Sequence, residues 1–488
     1  MTDSAHIELQ THAPIEEESR GQEEEELWNG DPENARNWSI SRKIYTSGAV
    51  SGIGFVCTLA SSIYAPGRQE TAAEFRIGEI ISILPVSLYN LGMAFGPTIA
   101  SPLSETFGRR AVYLVVLPVF GLFVLATGFC HTFTAVCVCR FFAGAFASPG
   151  VSIATATVAD MWAPSERARP LIIYYSSPVL GSAMGPLVGG FVAESKGWRW
   201  TQWTTLFFAT TLFSPIALTR ESYKKIILQR KARAAEETRP SRSWNACLDQ
   251  IPKFIRTTLV RPVHMLLTEP IVTLLCMYMG FQFGLLYVFV IASPWVYSTQ
   301  YDFSLTGQSL SFLGLIIGCL LAPMFAMAID RLAQGSSLSR FLLQPTSNSE
   351  KAMPEYRLCS AMFGSVCLPT GLFWFAWTAR SSIHWISPIA AQCLVMIGSL
   401  NIYLSAGMYM MDTYGPLYGA SANGANSLTR YSLAAAFPLF TLQMYQGIGV
   451  GWASSVLGFC ALAMAPIPWA FFRYGPKLRE KSRYQRSD

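Results

Sequence analysis

Charge is scarce in this chain. Asp, Glu, Lys and Arg make up 14% of its 488 residues, against about a quarter in soluble domains. A soluble chain of this length folds as two or more domains with polar surfaces, and so little charge cannot coat them. Histidine is nearly absent, with 5 residues, and the 11 cysteines are scattered without a Cys-x-x-Cys pair. Zinc and iron–sulfur sites need closer spacing than that. The cysteines lie mainly in or beside apolar stretches, where Cys acts as a small hydrophobe. No His cluster, nucleophile elbow or Walker loop is present, which argues against an enzyme and against direct use of ATP. The first 43 residues are polar and acidic, so no cleavable signal peptide is expected. Yet 51% of residues are hydrophobic and 13% aromatic, which is not a disordered composition. These absences exclude a soluble enzyme, a nucleic-acid reader and a secreted disulfide scaffold. No metal, bound cofactor or nucleic-acid partner is expected. A polytopic membrane protein remains.

What is present is a series of long apolar runs. A bilayer core of ~30 Å needs about 20 apolar residues per helix. Stretches 44–64, 80–101, 112–130, 135–157, 171–193, 202–219, 269–292, 306–327, 358–378, 385–410, 427–447 and 451–472 meet that standard. The expected fold is an all-α membrane protein of twelve transmembrane helices in two six-helix halves. Its parts are an acidic N-tail (1–43), a first half (44–219), a central loop (220–268), a second half (269–472) and a basic C-tail (473–488). With both termini inside, the inner segments hold 29 Lys and Arg and the outer loops 5, with Arg140 and Arg430 inside spans. That bias orients the chain with its termini in the cytoplasm. The N-tail, rich in Glu from Glu23 to Glu26, works against it, but acidic residues contribute little to topology.

Six spans plus six around a long central loop suggest two homologous halves about a midplane cavity. A weak repeat agrees: Glu105 with Arg109 and Arg110 follows span 2, and Asp330-Arg331 follows span 8. The central loop opens with a basic amphipathic stretch, Glu221 to Glu237, suited either to the inner leaflet or to a solvated linker.

Several residues inside this frame carry chemistry. Glu105 and Arg109 are four apart, so they can pair on one helical face. Gly108 permits a tight turn. Arg109 and Arg110 fall at the level of lipid phosphates, and plain positive-inside charge is the simpler reading. Gly181, Gly185 and Gly189 recur every four residues and let another helix approach closely. With Pro186 and Gly190 they suit either a rocking interface or static packing. Arg140 lies ~9 Å into span 4 at 1.5 Å per residue, and an ionisable group at such depth marks function unless it snorkels outward. No Asp or Glu falls near the middle of any span, so the usual proton-carrying carboxylate is missing. Tyr89, Asn90, Tyr174, Tyr175, Gln282, Phe283, Tyr287, Asn401 and Tyr403 are candidate cavity residues. Aromatic walls with a few amides suit bulky apolar or cationic ligands.

Taken together, these segments resemble the major facilitator superfamily, and within it the fungal twelve-span drug–proton antiporters. Asp31-Pro32-Glu33-Asn34-Ala35-Arg36-Asn37-Trp38-Ser39 resembles that family's pre-helix segment, with Ala35 for a usual Pro. Pro102-Leu103-Ser104-Glu105 and Gly108-Arg109-Arg110 match its motif A, with Ser101 where Gly is preferred. Arg140 and Gly144 match motif B, and Gly181 to Gly190 match the antiporter motif C. Gly197-Trp198-Arg199-Trp200 and the run from Asp412 through Arg430 to Phe440 also look family-specific. The resemblance covers about residues 31 to 484. It implies proton-coupled export of small molecules at the plasma membrane, driven by the proton gradient, with membrane lipids as surroundings and a monomer as the unit. Motif A would latch one conformational state, Arg140 would serve coupling, and the span 5 motif would shape the antiport cycle. A transporter of polyamines or another endogenous solute is the first alternative, and a transporter-like membrane sensor is a remote one.

Overall fold

The computed structural model describes residues 27–163, 166–235, 260–335 and 354–480, with 482 and 484. Among these residues the regular structure is helical, with no strand. The first half comprises α1 (Ile40–Ser62), α2 (Leu84–Phe107), α3 (Arg109–Phe129), α4 (Phe133–Met161), α5 (Ala168–Lys196) and α6 (Trp198–Ala217). The second half begins with α7 (Pro270–Tyr301), α8 (Leu313–Gly335) and α9 (Leu358–Thr378). A helical run then extends over Ile386–Met464, broken at Gly415 (φ 60°, ψ −168°) and Gly449 (φ 77°, ψ 163°). These breaks divide it into α10 (386–414), α11 (416–448) and α12 (450–464). The chain reverses at Gly449, because the Tyr445 hydroxyl and Ser454 Oγ are 2.9 Å apart. Nine residues of straight helix would separate their backbones by about 13 Å.

Nine stretches of the described residues are long and apolar enough to cross a membrane. One of them, Ser421–Glu480, contains the Gly449 reversal and so holds two spans; α2 and α6 supply the remaining two of the expected twelve. The boundaries shift most where side chains pack beyond the bilayer core. α7 runs to Tyr301, well past the expected 292. α8 is preceded by a separate short helix, Leu305–Leu310. A further helix, Pro466–Glu480, occupies the start of the expected C-tail.

Two hairpins of the first half share one device. Gly108 (φ 99°) ends α2 and Gly197 (φ 87°) ends α5, and each is followed at once by the next helix. The new helix starts with unpaired amides that favour an anion. Glu221 accepts from the amides of Arg109 (2.9 Å) and Arg110 (3.1 Å). Glu70 accepts from the amide of Trp198 (2.7 Å). A β-carbon at either glycine would collide with the capping carboxylate.

The glycine stripe of α5 packs within its own half. A β-carbon on Gly181 would strike the Phe55 carbonyl, one on Gly185 the Ser62 hydroxyl, and one on Gly189 the Ile63 carbonyl. Ser62 Oγ donates to the Ser182 carbonyl at 2.8 Å, which ties the two helices together. In this structure the stripe of Gly181, Gly185 and Gly189 therefore packs against α1 of its own half. Gly190 differs, because it abuts Ser309 of the second half. α5 passes without interruption through Pro178 and Pro186.

The basic central stretch is helical over Lys224–Ala235. Ile226 and Ile227 are buried against the protein, while Leu228 is exposed. Lys231 reaches back to Asp31 and to Glu33 (3.4 Å). The rest of the central loop and the Ser/Asn/Pro-rich stretch after Gly335 lie outside the described residues.

Candidate functional site

Arg140 is completely buried on α4. Its guanidinium donates to the carbonyls of Ala60 (2.7 Å), Ser61 (3.0 Å) and Pro85 (3.3 Å). Ala60 and Ser61 belong to the last turn of α1, where carbonyls lack helical partners. The Tyr89 ring lies 4.5 Å from the guanidinium carbon and the Tyr64 ring 5.6 Å. Among the described residues Arg140 forms no ion pair. It is a cation held by backbone dipoles and ring faces, and it does not snorkel. Ser61, one of its carbonyl partners, also hydrogen-bonds through its side chain to the Tyr287 hydroxyl on α7. Arg140 is thus one residue removed from the second half.

A second buried cation, the other arginine inside a span, stands opposite. Arg430 on α11 is 2% exposed. It donates to the Tyr403 hydroxyl. Its guanidinium carbon lies 4.8 Å from the Phe283 ring, 5.0 Å from Tyr403 and 4.5 Å from Tyr431. Its Nε has no partner among the described residues. Beside this cage is a small cavity of about 20 Å³, lined by Gln282, Phe283, Ser399, Tyr403 and, from the first half, Val179.

Of the expected cavity residues, Gln282, Phe283 and Tyr403 meet at this space. Tyr175 closes over it, its ring 5.5 Å edge-on from Tyr403 and its hydroxyl 3.4 Å from Met411 Sδ. The others are fully buried nearby and make internal bonds, although Asn90 Oδ1 has no partner among the described residues. Tyr89 donates to the Cys57 carbonyl at 2.7 Å, Tyr174 to the Val151 carbonyl, and Asn90 to the Val86 carbonyl at 3.1 Å. Asn401 does not line the cavity: it accepts from Ser360 at 2.6 Å and donates to Ile397 at 2.8 Å. Two residues, about 200° of helical rotation, separate it from Tyr403 on α10, which span assignment alone does not resolve.

At the end carrying the basic loops the halves are bridged by Arg167 of the α4–α5 connection, whose Nη2 is 2.9 Å from Asp412 Oδ1 on α10. Two clefts flank that bridge. One of about 910 Å³ is lined by Lys43, Ser47, Arg169, Asp330, Arg331 and Arg357. The other, about 460 Å³, is lined by Glu105, Arg109, Asp160 and Asn423. At the opposite end α5 meets the Leu305–Leu310 helix at Gly190 and Ser309.

The expected Glu105–Arg109 pair on one helical face is corrected by the backbone. Gly108 breaks the helix between them, so the four-residue spacing does not place them side by side. Arg109 turns inward, 8% exposed, and pairs with Asp160 (Nε–Oδ2 3.3 Å) while donating to Ser104 at 2.5 Å. It does not face lipid phosphates. Arg110 donates to the Ala217 carbonyl at 2.9 Å. The second half repeats this geometry: Arg357 at the start of α9 pairs with Asp412 (Nε–Oδ2 3.3 Å) and with Asp330 (3.4 Å). The internal repeat therefore runs through Arg109–Asp160 and Arg357–Asp412, and only Asp330 of the expected Asp330-Arg331 pair takes part. Asp160, Glu221 and Arg357 were missed because each lies at a helix end and finds its partner across a long stretch of chain.

Twelve spans in two repeated halves, closed about a central site, define a secondary-transporter fold. The chain belongs to the major facilitator superfamily, whose family model matches residues 50–438. It is 34% identical over 488 aligned residues to "Polyamine transporter 4" of Saccharomyces cerevisiae, covering 94% of this chain and 72% of that protein. It is also 34% identical to the "Ascochitine biosynthesis cluster MFS transporter" of Didymella fabae, over 94% of this chain and 88% of that one. Among solved structures it resembles the proton:xylose symporter XylE, with a TM-score of 0.64 at 14% identity, over 89% of this chain and 97% of that one. At that identity the likeness concerns the fold.

Proposed function

We propose that this protein exports small amphipathic organic compounds, such as a drug, a fungicide or a secondary-metabolite toxin, by proton antiport with alternating access. It works at the plasma membrane with both termini cytoplasmic, as a monomer. Its energy comes from the proton gradient rather than from a bound cofactor. The observation that carries this reading is the small cavity of about 20 Å³ beside the Arg430 cage, lined by Gln282, Phe283 and Tyr403 of the second half and by Val179 of the first. Rocking of the halves opens such a site to each side in turn. The similarity to a metabolite-cluster transporter supports an organic cargo. Arg140 links the α1 terminus to Tyr287 of the other half and is the coupling residue in this reading.

A polyamine carrier is the second reading, favoured by the yeast relative. The central charges oppose it. Two buried guanidiniums, unpaired with any carboxylate among the described residues, repel a polycation. The test uses inside-out plasma-membrane vesicles with an acidic lumen and no ATP. Labelled azoles, dyes, fungal toxins and polyamines are offered in turn. Protonophore-sensitive accumulation of an organic compound is expected. Accumulation of spermidine alone would transfer the assignment to the second reading, and no accumulation at all would remove both.

A further inference from the structure

We propose that the central site binds a flat organic anion, and that Arg430 is the residue that holds its charge. The inference deepens the export reading by naming a substrate class, and it rests on that reading for its biological sense.

The two buried arginines differ in what they leave unfinished. Each guanidinium nitrogen of Arg140 donates to a backbone carbonyl. Among the described residues Arg430 makes one hydrogen bond, to the Tyr403 hydroxyl, and its buried Nε has no partner. The rings of Phe283, Tyr403 and Tyr431 surround it. Ring faces attract a cation but do not neutralise it. A buried charge without a counter-charge is costly at membrane depth and marks a functional site.

The unpaired groups around Arg430 match one kind of guest. Among the described residues the Tyr431 hydroxyl has no partner, and neither amide atom of Gln282 has one, although Gln282 is 4% exposed. Gln282, Phe283 and Tyr403 line the same cavity. A guanidinium edge and a phenol offer donors to a carboxylate, enolate or phenolate. The glutamine amide serves a neighbouring carbonyl or hydroxyl. The ring faces take a flat unsaturated body. Arg140 adds a second positive charge without competing for the guest. The same field disfavours amines.

The charge of the cargo also bears on the carboxylate missing from the spans. An anion leaving a cell moves down the inside-negative membrane potential. Its export gains driving force without any protein carboxylate that must titrate.

The full chain in phosphatidylcholine nanodiscs, with no gradient and no anionic lipid, provides the test. The probes are 2-naphthoate, 9-anthroate and 4-hydroxycoumarin, each compared with 2-naphthylmethylamine by thermal stabilisation and by intrinsic fluorescence. At least one acid is expected to bind tenfold more tightly than the amine. Arg430→Gln should weaken that acid tenfold or more, and Arg430→Lys should restore part of the loss. Gln282→Ala, which removes the amide and leaves the cation, should weaken the same acid several-fold and serves if Arg430→Gln does not fold. Binding by none of the acids, preference for the amine, or acid affinity unchanged in the variants would overturn the assignment. Gradient-driven export is scored separately in vesicles. An amine exported by a protein that binds no acid sinks this site and leaves the efflux reading standing. Acid binding that depends on Arg430, in a protein that transports nothing, sinks the efflux reading and leaves the site.

Discussion

Arg167 and Asp412 face each other across the two halves, with Nη2 2.9 Å from Oδ1, and their pair sits between the two clefts at the basic end. Both side chains are about a quarter exposed, at 24% and 25%. An ion pair this wet contributes only ~0–1 kcal/mol. Its value lies in being made only when the halves are drawn together at this end.

Arg167→Gln is therefore expected to open the basic end without unfolding the protein. A cysteine placed at Ser47, which lines the larger cleft, should react with a membrane-impermeant maleimide about threefold faster in that background, the size of a ~0.7 kcal/mol shift. An unchanged rate would show that the Arg167–Asp412 pair does not hold the closure, which then rests on the other contacts between the halves, such as Tyr175–Tyr403.

Arg140→Ala removes the guanidinium that donates to the carbonyls of Ala60, Ser61 and Pro85. Each unsatisfied carbonyl costs on the order of 1–3 kcal/mol. The variant should melt well below the parent. Arg140→Lys keeps the charge but cannot span three acceptors with one ammonium. It should stay folded and at the membrane and lose at least tenfold in gradient-driven uptake. Parental uptake by the Lys variant would reduce Arg140 to a generic buried cation.

Gly185→Val tests the α1–α5 contact. A side chain there meets the Ser62 hydroxyl and comes within 2.9 Å of the Ile63 amide nitrogen. Overpacking of this kind costs ~1–3 kcal/mol or more. Gly48→Val on α1 meets nothing within 4 Å and should leave the melting temperature within the ordinary surface range. Equal melting of both variants in detergent would contradict the close approach.

Glu221→Gln keeps the size of the cap on α3 but removes its charge. Two backbone donors and the positive end of a helix then face a neutral group. A loss of ~1–2 kcal/mol is expected, read as earlier unfolding in denaturant, with Asp160→Asn giving a separate loss at Arg109. Stability equal to the parent would mean that water caps α3 equally well.

Asp31 and Lys231 give a pH signature outside the membrane. The Lys231 ammonium holds the Asp31 carboxyl below its ordinary range. A depressed carboxylate stabilises above its unfolded value and loses that contribution as pH falls through the folded one. The contact between the segment around Asp31 and the Lys224–Ala235 helix should be constant near neutrality and released in acid. Limited proteolysis near Trp28 at decreasing pH, against Lys231→Met, reads this directly. Protection that persists at low pH in both proteins would assign the contact to the Lys224–Trp28 ring instead, 5.6 Å away.

Much of the fold was legible, because span number and order depend on apolar length alone. Arg140 was legible as well: a charge inside an apolar run declares itself. Gly108 and the α5 glycines were legible as backbone needs. Asp160 and Glu221 were not, since their partners on α3 lie 51 and 112 residues away and a charge at a span end looks like ordinary loop polarity. Arg430 stood in plain view as a second intramembrane charge. Its cage is assembled from α7, α10 and α11, and no local pattern joins those three helices.

The sequence by itself determined that this chain lives in a bilayer, in how many spans, and with which residues carrying unusual charge. Bilayer thickness and the cost of burying polar atoms act on each segment separately, so local composition suffices. Tertiary structure alone decided which carboxylate answers which arginine, that Arg140 is satisfied while Arg430 is not, and where the two halves touch. Those outcomes depend on the rotation of each helix about its axis and on ångström-scale approach between distant segments. Only the packing of the whole bundle sets them.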